Sequence, residues 1–428
     1  MVSGIALGVV GGIAALVLGT MGYLPGNSMS AAWQTPEDRK ATANGNGAWL
    51  VGDTVVRSRF DAVTGFDAGS GKQRWEYTVP GRSEICAVGS AVEGGVGLIA
   101  HGEPSAASAS DQVPPGKGCN TVTALDLTSG RELWHTARVP GVGLIRSEPD
   151  LVAAGGGLAV FREGDALETA TEPVGNSART GHGVRAVDLR TGAPRWRAAV
   201  PHGCVPRRVA ATARQVLAVL ACDGAEQKLA AFDPADGRAR WTVPLRARPA
   251  VPLDEGAVFV SADPAVVRIG TGNEGGAFLA FGPDGRAQGQ IEAGGDYGQL
   301  VMGDPGRVAV DGGRLLTVAH YSTRLYSADR VVAFDLAGGG ELWRSDPWST
   351  DQDISTLHAA NGRLTLLLGS GRNNNALYVL DAADGDEKDD RSFHEETGGA
   401  NLLFRHRDTV IAARWGQDAR PFTAYRPW

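Results

Sequence analysis

Motifs that carry chemistry are scarce in this chain. Its four cysteines never stand in C-x-x-C, which removes the common dithiol redox motif. The eight histidines are scattered, with no H-E-x-x-H or other close ligand spacing for a metal. Gly175-Asn176-Ser177-Ala178-Arg179 fails the nucleophile-elbow pattern at its last position. Gly270-Thr271-Gly272-Asn273-Glu274-Gly275 matches G-x-G-x-x-G, yet no strand–helix–strand unit surrounds it, so it reads as a hairpin loop. A one-sided charge is missing too. With 41 basic and 48 acidic side chains interspersed, the net charge is −7, which argues against non-specific nucleic-acid binding. The acidic run Asp386–Asp390 reads as a solvated turn tip.

What is present is a repeat. GFDAGSGKQRW (65–75), ALDLTSGRELW (124–134), AVDLRTGAPRW (186–196), AFDPADGRARW (231–241) and AFDLAGGGELW (333–343) share an aspartate, a glycine four residues on and a tryptophan four beyond that. The positions are Asp67, Gly71 and Trp75; Asp126, Gly130 and Trp134; Asp188, Gly192 and Trp196; Asp233, Gly237 and Trp241; and Asp335, Gly339 and Trp343. Two weaker copies fill the gaps. AFGPDGRAQGQ (280–290) has lost a turn residue, and VLDAADGDEKD (379–389) has lost its tryptophan.

Residues before each aspartate are apolar and often β-branched or aromatic, as in a strand. In the turn that follows, the aspartate accepts backbone N–H bonds and the glycine supplies a positive φ. The tryptophan of the next strand is spaced to pack on a neighbouring sheet. These aspartates are therefore structural rather than catalytic carboxylates or metal ligands. Two further apolar stretches precede each copy, as in Arg208–Thr212 and Gln215–Leu220 before Lys228–Asp233 and Arg238–Val243. Four antiparallel strands, A to D, make one unit. A period of about 45–60 residues carrying such units predicts an all-β β-propeller.

Seven copies give seven blades, but Asn401–Phe404, Asp408–Ala413 and Pro421–Arg426 supply strands A to C of another. The missing D strand is expected at 30–36 (SAAWQTP), where Trp33 sits as Trp75 and Trp241 do. This gives eight blades closed by the N-terminal strand, with seven as the alternative count. The expected organisation is a transmembrane signal anchor over 1–24, a short linker over 25–29 and the propeller over 30–428. Ile5–Leu24 is uncharged, apolar and about long enough to span a bilayer. No basic residue precedes it, which is unusual for a cleaved signal peptide, although Ser28-Met29-Ser30 would suit a cleavage site.

Cys86 and Cys119 fall at the starts of strands A and C of one blade, and Cys204 and Cys222 at the start of A and the end of B of another. In a meander these points share one end of the blade, so the expected bridges are Cys86–Cys119 and Cys204–Cys222. Disulfides persist in oxidising compartments. The propeller is therefore expected outside the cytoplasmic membrane, anchored by a single N-terminal helix. Connections from B to C and from D to A share one face, and 101–118, 162–183, 262–275 and 321–329 are read as long B–C loops on it. Recognition is expected on that face.

The A-x-D-x-x-T-G-x-x-x-W phrase, best kept at 124–134 and 186–196, resembles the repeat of the PQQ-binding-like (quinoprotein alcohol dehydrogenase-like) propellers. That family includes pyrroloquinoline quinone enzymes and non-catalytic proteins, among them the outer-membrane assembly lipoprotein and many anchored actinobacterial proteins. The resemblance implies, for an enzyme, a calcium held by acidic and amide side chains and often a disulfide between adjacent cysteines. This chain has no adjacent cysteines, and Asn273, Glu274, Asp296 and Asp353 show no ligand-like spacing. The expectation is a non-enzymatic, extracytoplasmic scaffold of the membrane-anchored actinobacterial type, with no cofactor, no metal and a protein or cell-envelope partner. The alternative is a PQQ- and calcium-dependent dehydrogenase of small alcohols or sugars.

Overall fold

In a computed structural model, the structure describes residues 28–38, 44–103, 118–136, 150–163, 183–247, 257–272, 275–322, 327–346, 353–369, 375–393, 395, 397–416 and 420–427. The segment 1–24 read as an anchor lies outside them. Among the described residues, no helix is long and apolar enough to cross a membrane.

Each repeat builds a four-stranded antiparallel meander. The first array is Gly45–Val51, Thr54–Arg59, Ala62–Asp67 and Gln73–Thr78. The second is Glu84–Val88, Val96–Glu103, Gly118–Asp126 and Arg131–His135, and the third Val152–Gly155, Leu158–Glu163, Gly183–Asp188 and Pro194–Ala199. Cys204–Ala211, Val216–Cys222, Glu226–Phe232 and Ala239–Pro244 form the fourth; Val258–Ala262, Ala265–Gly272, Gly275–Phe281 and Ala287–Glu292 form the fifth. The sixth, Val308–Asp311, Arg314–Ser322, Ser327–Asp335 and Glu341–Ser345, is widened by a hairpin of Gly294–Gly295 and Gly298–Leu300. Asp353–Ala360, Arg363–Gly369, Ala376–Asp381 and Glu387–Phe393 form the seventh.

The last array takes Leu402–His406, Thr409–Ala413 and Phe422–Pro427 from the C-terminal end of the chain and Ser28–Gln34 from the other end. Ser28–Gln34 runs antiparallel to Phe422–Pro427, with Met29 opposite Pro427 and Gln34 opposite Thr423. The strand lies two residues earlier than the expected 30–36, because Ser28 and Met29 also pair, in parallel, with Ser392 and Phe393. That short parallel contact joins the seventh and last arrays into one eight-stranded sheet.

Strand interiors alternate or run apolar, so each sheet buries both faces against its neighbours. Among the described residues, the buried side chains form eight clusters, one for each pair of successive arrays. Ala48, Val55 and Phe66 of the first array pack with Ile411, Phe422 and Ala424 of the last, so the series of interfaces returns to its start. No array buries a core by itself, which is the energetics of a repeat architecture.

Two expected loops are corrected. The stretch 262–275 is the Asp263-Pro264 turn followed by the strand Ala265–Gly272, and only 273–274 connect it to the next strand. Likewise, strands continue through Ser322 and resume at Ser327, leaving 323–326 between them. Glycine-rich and polar strand ends look like loops in sequence. Here their backbone groups are satisfied by the adjacent strand, which local composition does not report. The other two stretches, 101–118 and 162–183, fall largely outside the described residues.

Candidate interaction face and its polar sites

The C-to-D turns carry the repeated aspartates and glycines. Oδ1 of Asp126 accepts the N–H groups of Thr128 and Ser129 at 2.9 and 3.2 Å, and Asp188 does the same for Arg190 and Thr191 at 3.1 and 3.0 Å. Asp67, Asp233 and Asp335 hold the N–H groups of Gly69, Ala235 and Gly338. The second oxygen of Asp67, Asp188 and Asp233 meets Arg74, Arg195 and Arg240 seven residues on. Arg195 and Thr191 hold the Asp188 carboxyl down at about 2, and Asp67, Asp126 and Asp233 are lowered by bonds of the same kind.

Each tryptophan crosses to the next array. Trp75 Nε1 donates to Thr128 O, Trp134 to Leu189 O, Trp196 to Pro234 O, Trp241 to Pro283 O and Trp343 to Ala382 O. Trp33 closes the series, donating to Ala68 O of the first array at 3.1 Å. Beneath these rings lie the turn glycines 71, 130, 192, 237, 285 and 385, all at positive φ. Gly339 is the exception: the fifth array has Gly289 where the others carry tryptophan, and the backbone of the adjacent Gln290 lies over Gly339. Small residues opposite the tryptophans have a reason as well. Gly65, Ala124, Ala186, Ala231 and Ala333 pair directly with Trp75, Trp134, Trp196, Trp241 and Trp343, each at a bulge. All fifteen repeat positions thus lie in turns, strand pairs and seams between arrays.

Both disulfides form, Cys86–Cys119 with Cα atoms 5.9 Å apart and Cys204–Cys222 at 3.9 Å. Cys204 and Cys222 are direct cross-strand partners. Cys86 is the third residue of its strand, not the first, and sits at the bulge between Ile85 and Ala87.

These bridges mark the opposite face, where B and D strands end and C and A strands begin. The connections over 104–117, 136–151, 164–182, 245–257 and 346–352 all join B to C or D to A. On the tight-turn face the longest connection is 89–95. Three polar constellations face the long-connection side. In the first array Asp38 bridges Arg57 and Arg59 at the mouth of a cavity of about 220 Å³, which Asp61, Glu76 and Arg82 also line. Burial of Arg57, 3% exposed, lowers its guanidinium to about 10 despite Asp38.

Asp150, just before the third array, is 6% exposed, with its backbone at φ +64° and carboxyl Oδ2 lacking a hydrogen bond. Burial raises its carboxyl to about 6, against the pull of Arg208 and the Phe259 N–H.

The third constellation spans arrays six and seven. His320 and Asp329 are cross-strand partners, with Ser327 two residues along. His320 Nδ1 lies 3.2 Å from Asp329 Oδ1, and His320 Nε2 lies 2.8 Å from Ser327 Oγ. Asp329, 3% exposed, uses its other oxygen to accept the Ile354 N–H at 3.0 Å, 3.7 Å from Arg307 Nη1. Sequence reasoning missed this group because 321–329 read as a loop. Its signal was the pairing of Ser322 with Ser327, which places His320 opposite Asp329 once both strands are extended.

A groove of about 480 Å³ lies instead on the tight-turn face between arrays four and five. The ion pair of Arg214 with Asp263 crosses it, and Phe281 and Pro283 line it.

A quinone held by calcium needs several acidic or amide ligands converging on one ion. Among the described residues no three histidine, cysteine, aspartate or glutamate side chains converge so. Asp296 lies in the hairpin turn before array six and Asp353 opens array seven; Asn273 and Glu274 lie outside the described residues.

A search of curated proteins finds no match. Among solved structures, the fold is similar to BamB from Moraxella catarrhalis, at 16% identity over 91% of this chain and 99% of that one, with a TM-score of 0.51. It is also similar to the quinohemoprotein alcohol dehydrogenase ADHIIG from Pseudomonas putida HK5, at 12% identity over 94% of this chain and 77% of that one, TM-score 0.50. At such identities the likeness is one of fold, an all-β propeller. The family described as outer membrane protein assembly factor BamB matches residues 28–202 and 180–316, more than half of the chain. The chain belongs to that family of PQQ-like propellers.

Proposed function

We propose that this protein is an extracytoplasmic scaffold rather than a quinone-dependent enzyme, and that it binds a protein or cell-envelope partner through its long-connection face. The observation that carries this reading is the asymmetry of the two faces. Tight Asp-x-x-x-Gly turns, locked by tryptophans, cover one side, and every connection longer than 89–95 leaves and re-enters the sheets at the other. A rigid ring presenting loops on one side is a recognition platform. The eight interface clusters support a closed eight-bladed ring, with Ser28–Gln34 as the closing strand. Two disulfides support an oxidising compartment, and the apolar run Ile5–Leu24 supports a single N-terminal membrane anchor, as in anchored actinobacterial relatives of this fold.

The test places a photo-crosslinking residue at Arg82, on the long-connection face, or at Lys72, in a tight turn, and irradiates intact cells. Discrete adducts from position 82 and none from 72 support the proposal; the reverse pattern overturns it. The dehydrogenase alternative is tested by titrating pyrroloquinoline quinone into the disulfide-intact protein with and without Ca²⁺. Saturable, calcium-dependent binding would replace the scaffold reading.

A further inference from the structure

We propose that Ser327, His320 and Asp329 form a serine nucleophile site that transfers acyl groups from carboxylic esters to water, a chemistry separate from partner binding. The geometry meets the order a triad requires. Asp329 accepts at His320 Nδ1, so the imidazole proton is held there and Nε2 is left as the acceptor for the Ser327 hydroxyl, 2.8 Å away. The acid is the buried member and is oriented twice over, by the Ile354 N–H of the next array and by Arg307. The hydroxyl and the imidazole are both exposed, at the long-connection end of their strands. Charged groups near the imidazole are Asp329 from the facing strand and, beyond it, Arg307 with Asp304.

In the step proposed, Ser327 Oγ bonds to the ester carbonyl carbon while its proton passes to His320 Nε2. The carbon–oxygen bond to the alcohol then breaks, and the alcohol leaves with that proton. Water, deprotonated by His320, attacks the seryl ester and releases the carboxylic acid, restoring Ser327. The site is open, so it suits acyl esters presented from solvent rather than substrates enclosed in a cavity.

The probe is a biotinylated fluorophosphonate, whose fluoride Ser327 would displace as the proton leaves through His320, with p-nitrophenyl acetate as the turnover substrate. The labelled peptide should contain Ser327, and Ser327→Ala should remove the label and the hydrolysis. His320→Gln, which keeps the strand pairing, should slow both by about a hundredfold. Asp329→Asn should slow labelling while its circular dichroism and melting stay native; if it does not fold, His320→Gln alone decides. Label spread over other serines, or labelling of Ser327 at an unchanged rate in His320→Gln, overturns the proposal.

Discussion

Gly130 lies under the Trp75 ring at φ +73°, and a Cβ there would come within 2.4 Å of ring carbon Cε3. Gly362 has nearly the same φ, +70°, with nothing within 4 Å of such an atom. Comparing alanine at the two sites separates backbone strain from the lock. Gly362→Ala is expected to cost about 1 kcal/mol, the left-handed penalty alone. Gly130→Ala is expected to cost about 2–4 kcal/mol, because Trp75 must leave its seat as well. Denaturant unfolding of both variants measures the difference; equal losses would mean that the tryptophan does not hold the turn. Asp150 supplies a pH dependence of the opposite kind to acid denaturation. Its folded pKa is raised to about 6 from 3.8 by burial, so the native state holds the proton more tightly than the unfolded chain. The resulting stability is fully present below the unfolded value and is lost as pH rises through about 6. Asp150→Asn keeps an acceptor for the Phe259 N–H and avoids burying the charge. It should melt higher than wild type at pH 7 and close to it at pH 4; a lower melting point at pH 7 would show that the charge is matched by a partner in the native state.

At the scale of the element, the C-to-D hairpin is the most legible part of the chain. Its aspartate, glycine and small residue opposite the tryptophan are all demanded by contacts within about ten positions, and local demands leave a local signature. The A and B strands were placed less sharply: Cys204–Ala211 begins four residues before the expected 208, and Arg314–Ser322 outruns its apparent end. Polar residues at strand ends are kept in register by the neighbouring strand, which is distant in sequence. The disulfides act at this scale too. Each closes a sequence separation of 33 or 18 residues, and the loop-entropy estimate gives about 3–4 kcal/mol apiece. Replacing Cys86 and Cys119 together by serine should lower the unfolding free energy from denaturant titration by that amount while the circular dichroism of the folded state stays unchanged. No change would mean that the unfolded state is already compact there.

For the whole molecule the decisive contact is between its two ends. Ser28–Gln34 covers the edge of Phe422–Pro427, and Trp33 seats on Gly71 of the first array. Removing residues 1–36 therefore uncovers a strand edge, leaves Met29's place in the last core empty and breaks one of the six tryptophan locks. The expected result is a loss of more than about 4 kcal/mol, with aggregation through the bare edge. A synthetic peptide of residues 28–38 should restore part of the lost melting temperature in trans. A truncated protein that melts like the full chain would remove the closing role.

The repeat, its turn chemistry, the all-β class and the paired cysteines were determined by the sequence alone, because each depends on residues close together or spaced at a constant period. Tertiary structure decided what crosses between arrays: which turn receives each tryptophan, the buried charge of Asp150, and the meeting of His320, Ser327 and Asp329 with Ile354 and Arg307. Those groups sit on separate strands or sheets. Their distances are set by strand register and by the angle between neighbouring sheets, and neither is written in the spacing of residues along the chain.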